Sequence, residues 1–451
     1  MSYAGGAQGI STVGPGADFR HDYEYLATYG ERSDRALCRL LDFRRQHTES
    51  DRREMTAGVE DHLDTLASRL FGSPYYRRIL HRRGLSPRDL VSMKDLEGFP
   101  MLDRTTLGKM WRQLPVVDEE SPSYQDAVLV RSSGSTGSPI QVVRDGYDLV
   151  HMWTMVRFWA QITGVELPKS PMVVLLCDLP SGLEYQSRLP TLGDGTLVRI
   201  STRQPEPRRR LLEADVDVLF SDPAGLHWLL SEEEVPRPRL VLSSAQYLSA
   251  QMRRELEDRV RAPVINYYAS SETGPIAWEC LQSLGKFHVL VPDMWVESVK
   301  EELVVTRLRP SIVPLLRYRM GDGGQVAFDA CRCGYRGWTI RDFDGRRMCR
   351  FLRPDGQLVD AWKLARLFKH RALDGFRLTQ LREECFRLEL VGSGEVGETS
   401  MGGELARLLR RLGWPDPQIE LEYVDELEVR GTKPEPFRTC ITSPSDVDEQ
   451  T

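Results

Sequence analysis

Apolar residues recur at helical spacing in the N-terminal part of the chain. Four of them lie three or four residues apart and predict one face of an amphipathic helix: Val59, Leu63, Leu66 and Leu70. Gly72 follows as the predicted helix stop. We therefore expect residues 30–110 to form a helical lead-in, preceded by a glycine-rich, disordered segment over residues 1–20.

From about residue 126 the pattern changes to short apolar or β-branched runs that alternate with helical segments. Strands are predicted at four of these runs, with a helix before the last: residues 172–177, 216–220, 239–243 and 264–266, and the helix at 249–260. Such alternation is typical of an α/β fold with a largely parallel sheet. Three closely spaced runs then predict a β-rich subdomain: residues 302–306, 313–318 and 324–328.

The pattern starts again near Gly345 and Arg346. Beyond this point a strand, a helix and a second strand are predicted: residues 385–391, 403–412 and 419–424. The sequence thus predicts two domains, a large α/β one and a small α+β one: residues 1–345 and 346–451.

The 451-residue chain carries 60 Lys and Arg against 66 Asp and Glu, for a net charge of −6. This balance argues against nucleic acid or an anionic membrane as a partner. The N-terminus lacks the basic and apolar regions of a signal peptide, and the longest apolar run, Met172–Cys177, is too short to span a bilayer. We therefore expect a cytoplasmic protein whose eight cysteines are reduced thiols or metal ligands. The sequence leaves open whether it is a homodimer.

The stretch from Val130 to Pro139 interleaves small hydroxyl residues with two glycines. Its central residues offer amides and hydroxyls that can wrap a polyphosphate: Ser132, Ser133, Gly134, Ser135, Thr136 and Gly137. No lysine follows Gly137, and the glycine spacing differs from that of a P-loop. A flexible Ser/Gly surface turn is the alternative interpretation of these residues.

Three later motifs follow the loop: residues 266–274 (Asn-Tyr-Tyr-Ala-Ser-Ser-Glu-Thr-Gly), 316–322 (Leu-Arg-Tyr-Arg-Met-Gly-Asp) and 343–346 (Phe-Asp-Gly-Arg). In this order and spacing they resemble the adenylate-forming superfamily, which contains acyl-CoA synthetases, peptide-synthetase adenylation domains and luciferases. Further segments make the chain similar to the phenylacetate-CoA ligase type: residues 99–104, 278–280 and 331–334. The resemblance implies a large N-terminal domain with mixed or parallel sheets, helices and a β-rich subdomain, and a small mobile C-terminal domain.

The resemblance also implies roles for single residues. The loop would hold the triphosphate of ATP, with Thr136 among the catalytic groups, and Glu272 would hold Mg²⁺ as a hard oxygen ligand. Tyr268 would lie against adenine and Asp322 would bind the ribose hydroxyls. Lys433 would neutralise the transferring phosphate. Further nucleotide contacts are implied along the chain: Ser244, Ala245, Gln246, Tyr267, Ser271 and Arg346.

Each of these residues also has a plain structural interpretation. Glu272 could be a surface carboxylate, Tyr268 a core residue and Asp322 a turn residue. Lys433 could be an exposed loop lysine.

The acid pocket is implied by the same resemblance at four positions: Asp178, Leu183, Ser243 and Tyr268. The resemblance implies an aromatic or small planar acid. The segment 177–183 lacks the aromatic residues of phenylacetate ligases, so the sequence itself does not specify the acid. At the domain boundary the family pattern Gly-Arg-x-Asp-Asp is replaced by Gly-Arg-Arg-Met-Cys at residues 345–349, and the hinge aspartate is missing.

Cys331 and Cys333 flank a single residue ahead of Gly334 and could present two thiolates to one ion. Cys280 and His288 would complete a Cys₃His set of the kind that binds structural zinc. Buried free cysteines and a core histidine are the alternative.

Taken together, the resemblance implies an ATP- and Mg²⁺-dependent ligase that converts a carboxylic acid, aromatic or small and planar, to acyl-AMP with release of pyrophosphate and then forms a thioester with CoA. One alternative transfers the acyl group to a carrier-protein thiol or an amine. An alternative of another class is a nucleotide-binding protein without catalytic activity.

Overall fold

The fold is described from a computed structural model. It describes the following residues: 11–12, 30–116, 127–131, 140–177, 186–189, 191–202, 206–230, 232–245, 248, 250–300, 302–344, 349–361, 364, 367–368, 375–391, 398–424, 427 and 437–441. The chain divides into two compact units, one formed by residues 1–130 and 141–345 and the other by residues 131–140 and 346–451.

The helices in the described parts of the chain are α1 Gly30–Gln46, α2 Arg52–Glu60, α3 Leu63–Gly72, α4 Pro74–Arg82, α5 Arg104–Met110, α6 Gly146–Ile162, α7 Pro207–Glu213, α8 Pro223–Leu230, α9 Ala250–Val260 and α10 Glu398–Leu412. Two short 3₁₀ helices lie at Pro87–Asp89 and Met93–Gly98. None of the helices in these parts is long and apolar enough to cross a membrane.

The strands of the first unit are β1 Ser11–Thr12, β2 Val128–Arg131, β3 Gln141–Arg144, β4 Met172–Cys177, β5 Gln186–Leu189, β6 Thr191–Ser201, β7 Val218–Ser221, β8 Leu240–Ser243, β9 Val264–Ser270, β10 Gly274–Cys280, β11 Ser283–Val289, β12 Met294–Val299, β13 Glu302–Arg307, β14 Tyr318–Ala330 and β15 Arg336–Asp344. Those of the second unit are β16 Arg350–Leu352, β17 Leu358–Asp360, β18 Gly375–Arg382, β19 Cys385–Val391, β20 Gln418–Tyr423 and β21 Phe437–Thr439.

Twelve strands of the first unit form one mixed sheet in the order β12-β13-β14-β15-β11-β10-β9-β8-β7-β4-β6-β5. From β9 to β6 the neighbouring strands are parallel, whereas from β9 to β12 every recorded pairing is antiparallel. The α/β class predicted from the alternation is confirmed. The strands predicted from that alternation pair in parallel, and the β-rich region continues the same sheet with antiparallel strands, so the sheet as a whole is mixed.

Apolar strands explain the parallel half. β4, β7 and β8 contain no charged residue, and β8 is buried at all four positions. Their side chains pack with those of α7, α8 and α9 in one core that includes Leu176, Leu219, Val241, Leu226 and Leu256. Strands buried between helices read as continuous apolar runs, which is why the sequence pattern located them well.

The predicted strand at 313–318 is wrong over most of its length, because residues 311–317 form a buried loop and β14 begins only at Tyr318. Arg317 has φ 45°, a left-handed conformation that an extended strand cannot include. The loop satisfies its backbone elsewhere: Leu316 N donates to Tyr76 Oη at 3.2 Å, and Arg317 N donates to Thr306 Oγ1 at 3.1 Å.

In the N-terminal region, the single apolar face predicted around Val59 and Leu63 belongs to two helices, since α2 ends at Glu60 and α3 begins at Leu63. All four positions of that face are nevertheless buried. Gly72 is the last residue of α3, as the stop signal predicted.

The second unit has its own core. A four-stranded sheet of order β20-β19-β18-β21 packs with α10 around Phe386, Leu388, Leu405 and Trp414. The predicted strand at 385–391 matches β19, and the predicted helix begins earlier than expected, at Glu398.

Candidate functional site

The acidic motif forms the hairpin between β9 and β10, where the parallel and antiparallel halves of the sheet meet. Residues 271–273 make the turn. Ser270 Oγ accepts hydrogen bonds from the backbone N–H groups of Glu272 at 3.2 Å and Thr273 at 3.1 Å. A serine bound in this way to the amides that follow it stabilises a local turn, so the motif fixes the backbone that carries Glu272.

Glu272 is buried, with 6% of its surface exposed. Its Oε1 atom accepts a charge-assisted hydrogen bond from Arg104 and a hydrogen bond from the Tyr318 hydroxyl at 3.2 Å. Burial raises the pKa of Tyr318, and the neighbouring Glu272 charge raises it further. A buried carboxylate requires such partners. The interpretation of Glu272 as a surface carboxylate is therefore wrong.

Three successive carbonyl groups of the turn accept hydrogen bonds from three arginines. Arg144 Nη2 donates to Ser271 O at 2.6 Å, Arg307 Nη1 to Glu272 O at 3.4 Å, and Arg309 Nη2 to Thr273 O at 3.3 Å. The arginines come from β3, from the end of β13 and from the loop after it. The turn is thus held by side chains from several elements.

Asp148, in the first turn of α6, holds two of these arginines. Its Oδ1 lies 3.2 Å from Arg307 Nη1 and 2.7 Å from Arg309 Nη1, and its Oδ2 accepts from Ser311 Oγ at 2.8 Å. Burial pushes the pKa of Asp148 upward, but the two guanidinium charges outweigh it and the pKa is lowered. Asp148 is therefore ionised at neutral pH.

Asp145, the N-cap of α6, accepts from Asp148 N and from Ile312 N, each at 2.9 Å. Burial, with the neighbouring charge of Asp148, raises the pKa of Asp145 to about 7. The network behind the turn therefore contains one carboxylate that is fully charged and one that titrates near neutral pH.

Tyr268 and Asp322, which the sequence assigns to the same nucleotide, lie together. Tyr268 Oη donates to Asp322 Oδ2 at 2.7 Å, and both residues are buried. The Tyr268 ring packs on Phe343 with centroids 4.5 Å apart. Strands β9 and β14 thus place the ring of Tyr268 next to the carboxylate of Asp322.

Tyr267 lies on the opposite face of β9, as expected for neighbouring residues in a strand. Its ring lies 4.5 Å from Trp159 and 5.9 Å from Phe220 between centroids. Burial raises the pKa of Tyr267, although a hydrogen bond with the Ser244 side chain opposes the shift. Tyr267 therefore belongs to an aromatic cluster at the carboxyl end of the parallel strands.

Ser243 is the last residue of β8, and Ser244 and Ala245 follow it. Ser243 is fully buried, and its Oγ has no hydrogen-bond partner in the described parts of the chain. Ala245 is exposed and has φ 74°, a conformation that few residues other than glycine adopt. Strain of this kind requires support from the surrounding structure.

The predicted metal ligands converge. The ligand atoms of Cys280, His288, Cys331 and Cys333 all lie within 4.8 Å of one another. Cys331 Sγ lies 3.5 Å from Cys280 Sγ, and Cys333 Sγ lies 3.5 Å from His288 Nε2. Ligands around a tetrahedral zinc ion are separated by roughly 3.3–3.8 Å, so the donor set fits zinc in both chemistry and spacing.

Local backbone bonds build this cluster. Cys331 N donates to Tyr335 O at 2.9 Å and Gly334 N to Cys331 O at 3.0 Å, with Gly334 in the left-handed region at φ 83°. A hydrogen bond from Cys280 lowers the pKa of Cys333 to about 3. The lowered pKa favours the thiolate of Cys333, the form in which cysteine binds metals.

The other predicted site residues lie outside the described parts of the chain: Ser132, Ser133, Gly134, Ser135, Thr136, Gly137, Asp178, Leu183, Gln246, Arg346 and Lys433.

Sequence reasoning assigned no role to the residues that hold Glu272. Arg104 and Tyr318 lie within the motifs 99–104 and 316–322, so those motifs were a usable signal. Asp148, Arg307 and Arg309 lie in no motif, and only their burial as charged residues distinguishes them. Burial of charge depends on tertiary structure and leaves no pattern in the sequence.

Known proteins are similar to this chain in sequence over more than half of its length. No protein-family model matches the chain. It is 25% identical over 312 residues to phenylacetate-coenzyme A ligase of Thermus thermophilus, covering 63% of this chain and 68% of the relative. It is 26% identical over 279 residues to phenylacetate-coenzyme A ligase of Aromatoleum evansii, covering 55% of this chain and 61% of that relative.

Among solved structures, 2-hydroxyisobutyryl-CoA ligase has a similar fold. In its postadenylation state it superimposes with a TM-score of 0.56 at 14% identity, covering 90% of this chain and 94% of that chain. In its thioesterification state, with 2-HIB-AMP and CoA, the TM-score is 0.58 at 16% identity over the same shares of the two chains. The fold resemblance expected from the motifs is therefore confirmed.

Proposed function

Because the chain is a phenylacetate-CoA ligase-like member of the adenylate-forming superfamily, we propose that it activates a carboxylic acid with ATP and transfers the acyl group to CoA. The acid's oxygen attacks the α-phosphorus, the bond to the β-phosphate breaks, and pyrophosphate leaves. The CoA thiolate then displaces AMP from the acyl carbon. The observation that carries the proposal is the buried Glu272, which pairs with Arg104, on a turn braced by Arg144, Arg307 and Arg309.

The residues at this turn fit the needs of the first step. Two anions must meet, so the protein has to fix the reactants and supply positive charge or a metal ligand where negative charge gathers. Glu272 would hold Mg²⁺, which neutralises the phosphates when bound. Asp322, oriented by the Tyr268 hydroxyl at 2.7 Å, would accept hydrogen bonds from the ribose. The ring of Tyr268 would cover the adenine.

We propose an aromatic or small planar acid. The support is the aromatic cluster of Tyr267, Trp159 and Phe220 at the carboxyl end of the parallel strands, where ligands gather in open α/β sheets. The loop 132–137 would hold the triphosphate, and Lys433 in the second unit would neutralise the transferring phosphate.

The experiment is a panel of aryl and short aliphatic acids with ATP and Mg²⁺, scored for pyrophosphate release. Addition of CoA, a carrier protein or hydroxylamine then identifies the acceptor. Glu272→Gln keeps the side-chain shape and removes its charge, so we expect adenylation to slow about a hundredfold or more. Arg239→Gln, in an exposed ion pair with Asp217, is the matched control. No pyrophosphate release with any acid would favour a nucleotide-binding protein without activity.

Two further variants address the regions that carry the remaining roles. Gly134→Val should block close approach of the triphosphate and reduce ATP–pyrophosphate exchange. Lys433→Ala should reduce acyl-adenylate formation while thioester formation from supplied acyl-adenylate stays nearly intact. Equal loss in both half-reactions would indicate general destabilisation.

We also propose that the Cys₃His cluster holds a structural zinc ion. Zinc fills four coordination positions with these ligands and leaves none for a substrate, so its role would be stability. Elemental analysis should find about one zinc per chain, and Cys331→Ser should lose it together with stability. Ser283→Ala is the control, because the Ser283 hydroxyl lies 3.4 Å from Cys331 Sγ but is no ligand of the set. A protein that is stable without metal would mean that these cysteines are ordinary core residues.

A further inference from the structure

Arg104 forms an ion pair with the carboxylate of Glu272, the residue proposed above to bind Mg²⁺. We propose that Arg104 is a positioning residue for Glu272. As a fixed positive charge it also lowers the affinity of this carboxylate for a divalent cation. The proposal rests on the proposed function, in which Glu272 is the metal ligand.

The position of Arg104 is built into the fold. It is the first residue of α5, whose N-cap Asp103 accepts from Thr106 N at 2.7 Å. The residue before this cap, Leu102, bridges to the start of β14: Leu102 N donates to Arg317 O at 3.1 Å, and Arg319 N donates to Leu102 O at 2.8 Å. This pairing sets Arg104 and Tyr318 on the same oxygen of Glu272.

Arg317 locks the segment that carries Arg104. Its Nη1 donates to Glu97 O at 2.9 Å and to Phe99 O at 3.1 Å, and its Nη2 pairs with Glu297 at 3.0 Å. Arg317 is itself buried. The segment that carries Arg104 is therefore held in place by hydrogen bonds, and the Arg104–Glu272 ion pair is part of the buried structure.

The pair is nearly dry, with side-chain exposures of 11% for Arg104 and 4% for Glu272. In such surroundings a fixed positive charge acts strongly on a second cation at the same carboxylate, because solvent screens the repulsion less than in water. Each cation also reduces the negative charge available to the other. We infer that Arg104 keeps Glu272 oriented before the metal and ATP arrive and favours departure of the metal with pyrophosphate.

The test uses the full chain and Mn²⁺ as a spectroscopic probe, with α,β-methylene-ATP present so that no reaction occurs. Electron paramagnetic resonance measures the Mn²⁺ Kd. Arg104→Gln should tighten Mn²⁺ binding about five- to tenfold and lower kcat for ATP–pyrophosphate exchange. Arg104→Lys keeps the charge but not the guanidinium fork, so its Mn²⁺ Kd should stay within about twofold of wild type while kcat falls.

Arg319→Gln is the control. Arg319 neighbours Tyr318 but pairs with Glu302 at the sheet surface, so its removal should leave the Mn²⁺ Kd unchanged. A folded Arg104→Gln protein with unchanged or weaker Mn²⁺ binding would overturn the proposal, because loss of a purely structural ion pair predicts that result. If Arg104→Gln does not fold, a change of more than about twofold in the Mn²⁺ Kd of Arg104→Lys overturns it instead.

Glu272→Gln separates the two proposals. It should lose Mn²⁺ affinity whether or not Arg104 acts as a counter-charge. If Glu272→Gln binds Mn²⁺ as wild type does, the metal role of Glu272 fails. If Glu272→Gln weakens binding and Arg104→Gln does not tighten it, only the inference about Arg104 fails.

Discussion

The two halves of the twelve-stranded sheet carry different kinds of residue. In the parallel half, β4, β7, β8 and β9 contain no charged side chain, whereas β6 carries Asp194 and Arg199. In the antiparallel half, every strand from β10 to β15 contains one or more charged side chains, and β14 alternates between buried and partly exposed positions over its first half. The parallel strands of the sheet thus contribute mainly apolar packing, and most of its charged side chains lie on the antiparallel strands.

The difference follows from what covers each half. Parallel strands packed between helices have no water on either face, and an isolated charge there is costly. Antiparallel strands with one partly exposed face can carry charge at alternate positions. Glu272 lies on the turn where the two kinds of strand meet, which gives it a buried setting within reach of Arg307 from β13 and Arg104 from α5.

The largest effect is expected where the polar network is most deeply buried. Asp148→Ala leaves Arg307 and Arg309 without their shared carboxylate, so we expect a loss of about 3–5 kcal/mol of unfolding free energy. Urea unfolding followed by tryptophan fluorescence measures it. Arg239→Ala, in an exposed pair, should cost less than about 1 kcal/mol. Equal effects would mean that the buried network contributes no more than a surface pair.

A substitution in the core of the parallel half should lower stability but not activity. Leu219→Ala creates a cavity in the core beneath α8 and α9 and should cost about 3 kcal/mol. The activity of the molecules that remain folded should stay within about twofold, since Leu219 contacts no proposed ligand. Leu281→Ala, at a position 37% exposed, serves as the control and should change stability by less than about 0.5 kcal/mol. A loss of activity that exceeds the loss of folded protein would contradict the division of roles.

The free energy of unfolding should depend on pH through a buried histidine on α6. His151 on α6 is buried 3.7 Å from Asp293, and burial, with the Arg309 charge, lowers its pKa to about 3. Below about pH 6.5 this histidine therefore binds a proton in the unfolded chain but not in the folded chain. Its contribution to the free energy of unfolding falls as the pH decreases. Between pH 7 and pH 5 the stability advantage of wild type over His151→Gln should shrink by about 2 kcal/mol.

The comparison with His151→Gln is needed because Asp145 titrates in the opposite sense. Its raised pKa, about 7, means that the folded state gains a proton before the unfolded state does, which adds stability as pH falls toward about 4. The difference between the two proteins removes this shared contribution. Parallel pH profiles for wild type and variant would show that His151 does not titrate as its burial requires.

The smallest effect tests the two faces of β9. Tyr268→Phe removes the hydroxyl that orients Asp322 and should raise the KM for ATP about fivefold, equivalent to about 1 kcal/mol. Tyr267→Phe removes a hydroxyl that faces Met152 and Ser244 on the other side of the strand, and the KM for ATP should stay within about twofold. Equal changes in both variants would remove the distinction between the faces.

Much of this fold was readable from the sequence because its signals are local. The strand Met172–Cys177 and the strand Cys385–Val391 have the predicted bounds, since apolar runs bounded by polar residues need no distant partner to be recognised. The strand predicted at 313–318 failed, because Arg317 turns left-handed to bind Glu97, Phe99 and Glu297, all distant in sequence.

The sequence by itself determined the order of the motifs, the α/β class and the chemical identity of the candidate ligands, including the four residues that converge as a Cys₃His set. Only the tertiary structure decided that Glu272 is buried, that Tyr268 binds Asp322, and that Arg104 and Arg307 reach the same turn from elements 168 and 35 residues away. The physical reason is that ion pairs and hydrogen bonds form between side chains brought together by packing, and separation along the chain carries no record of such contacts.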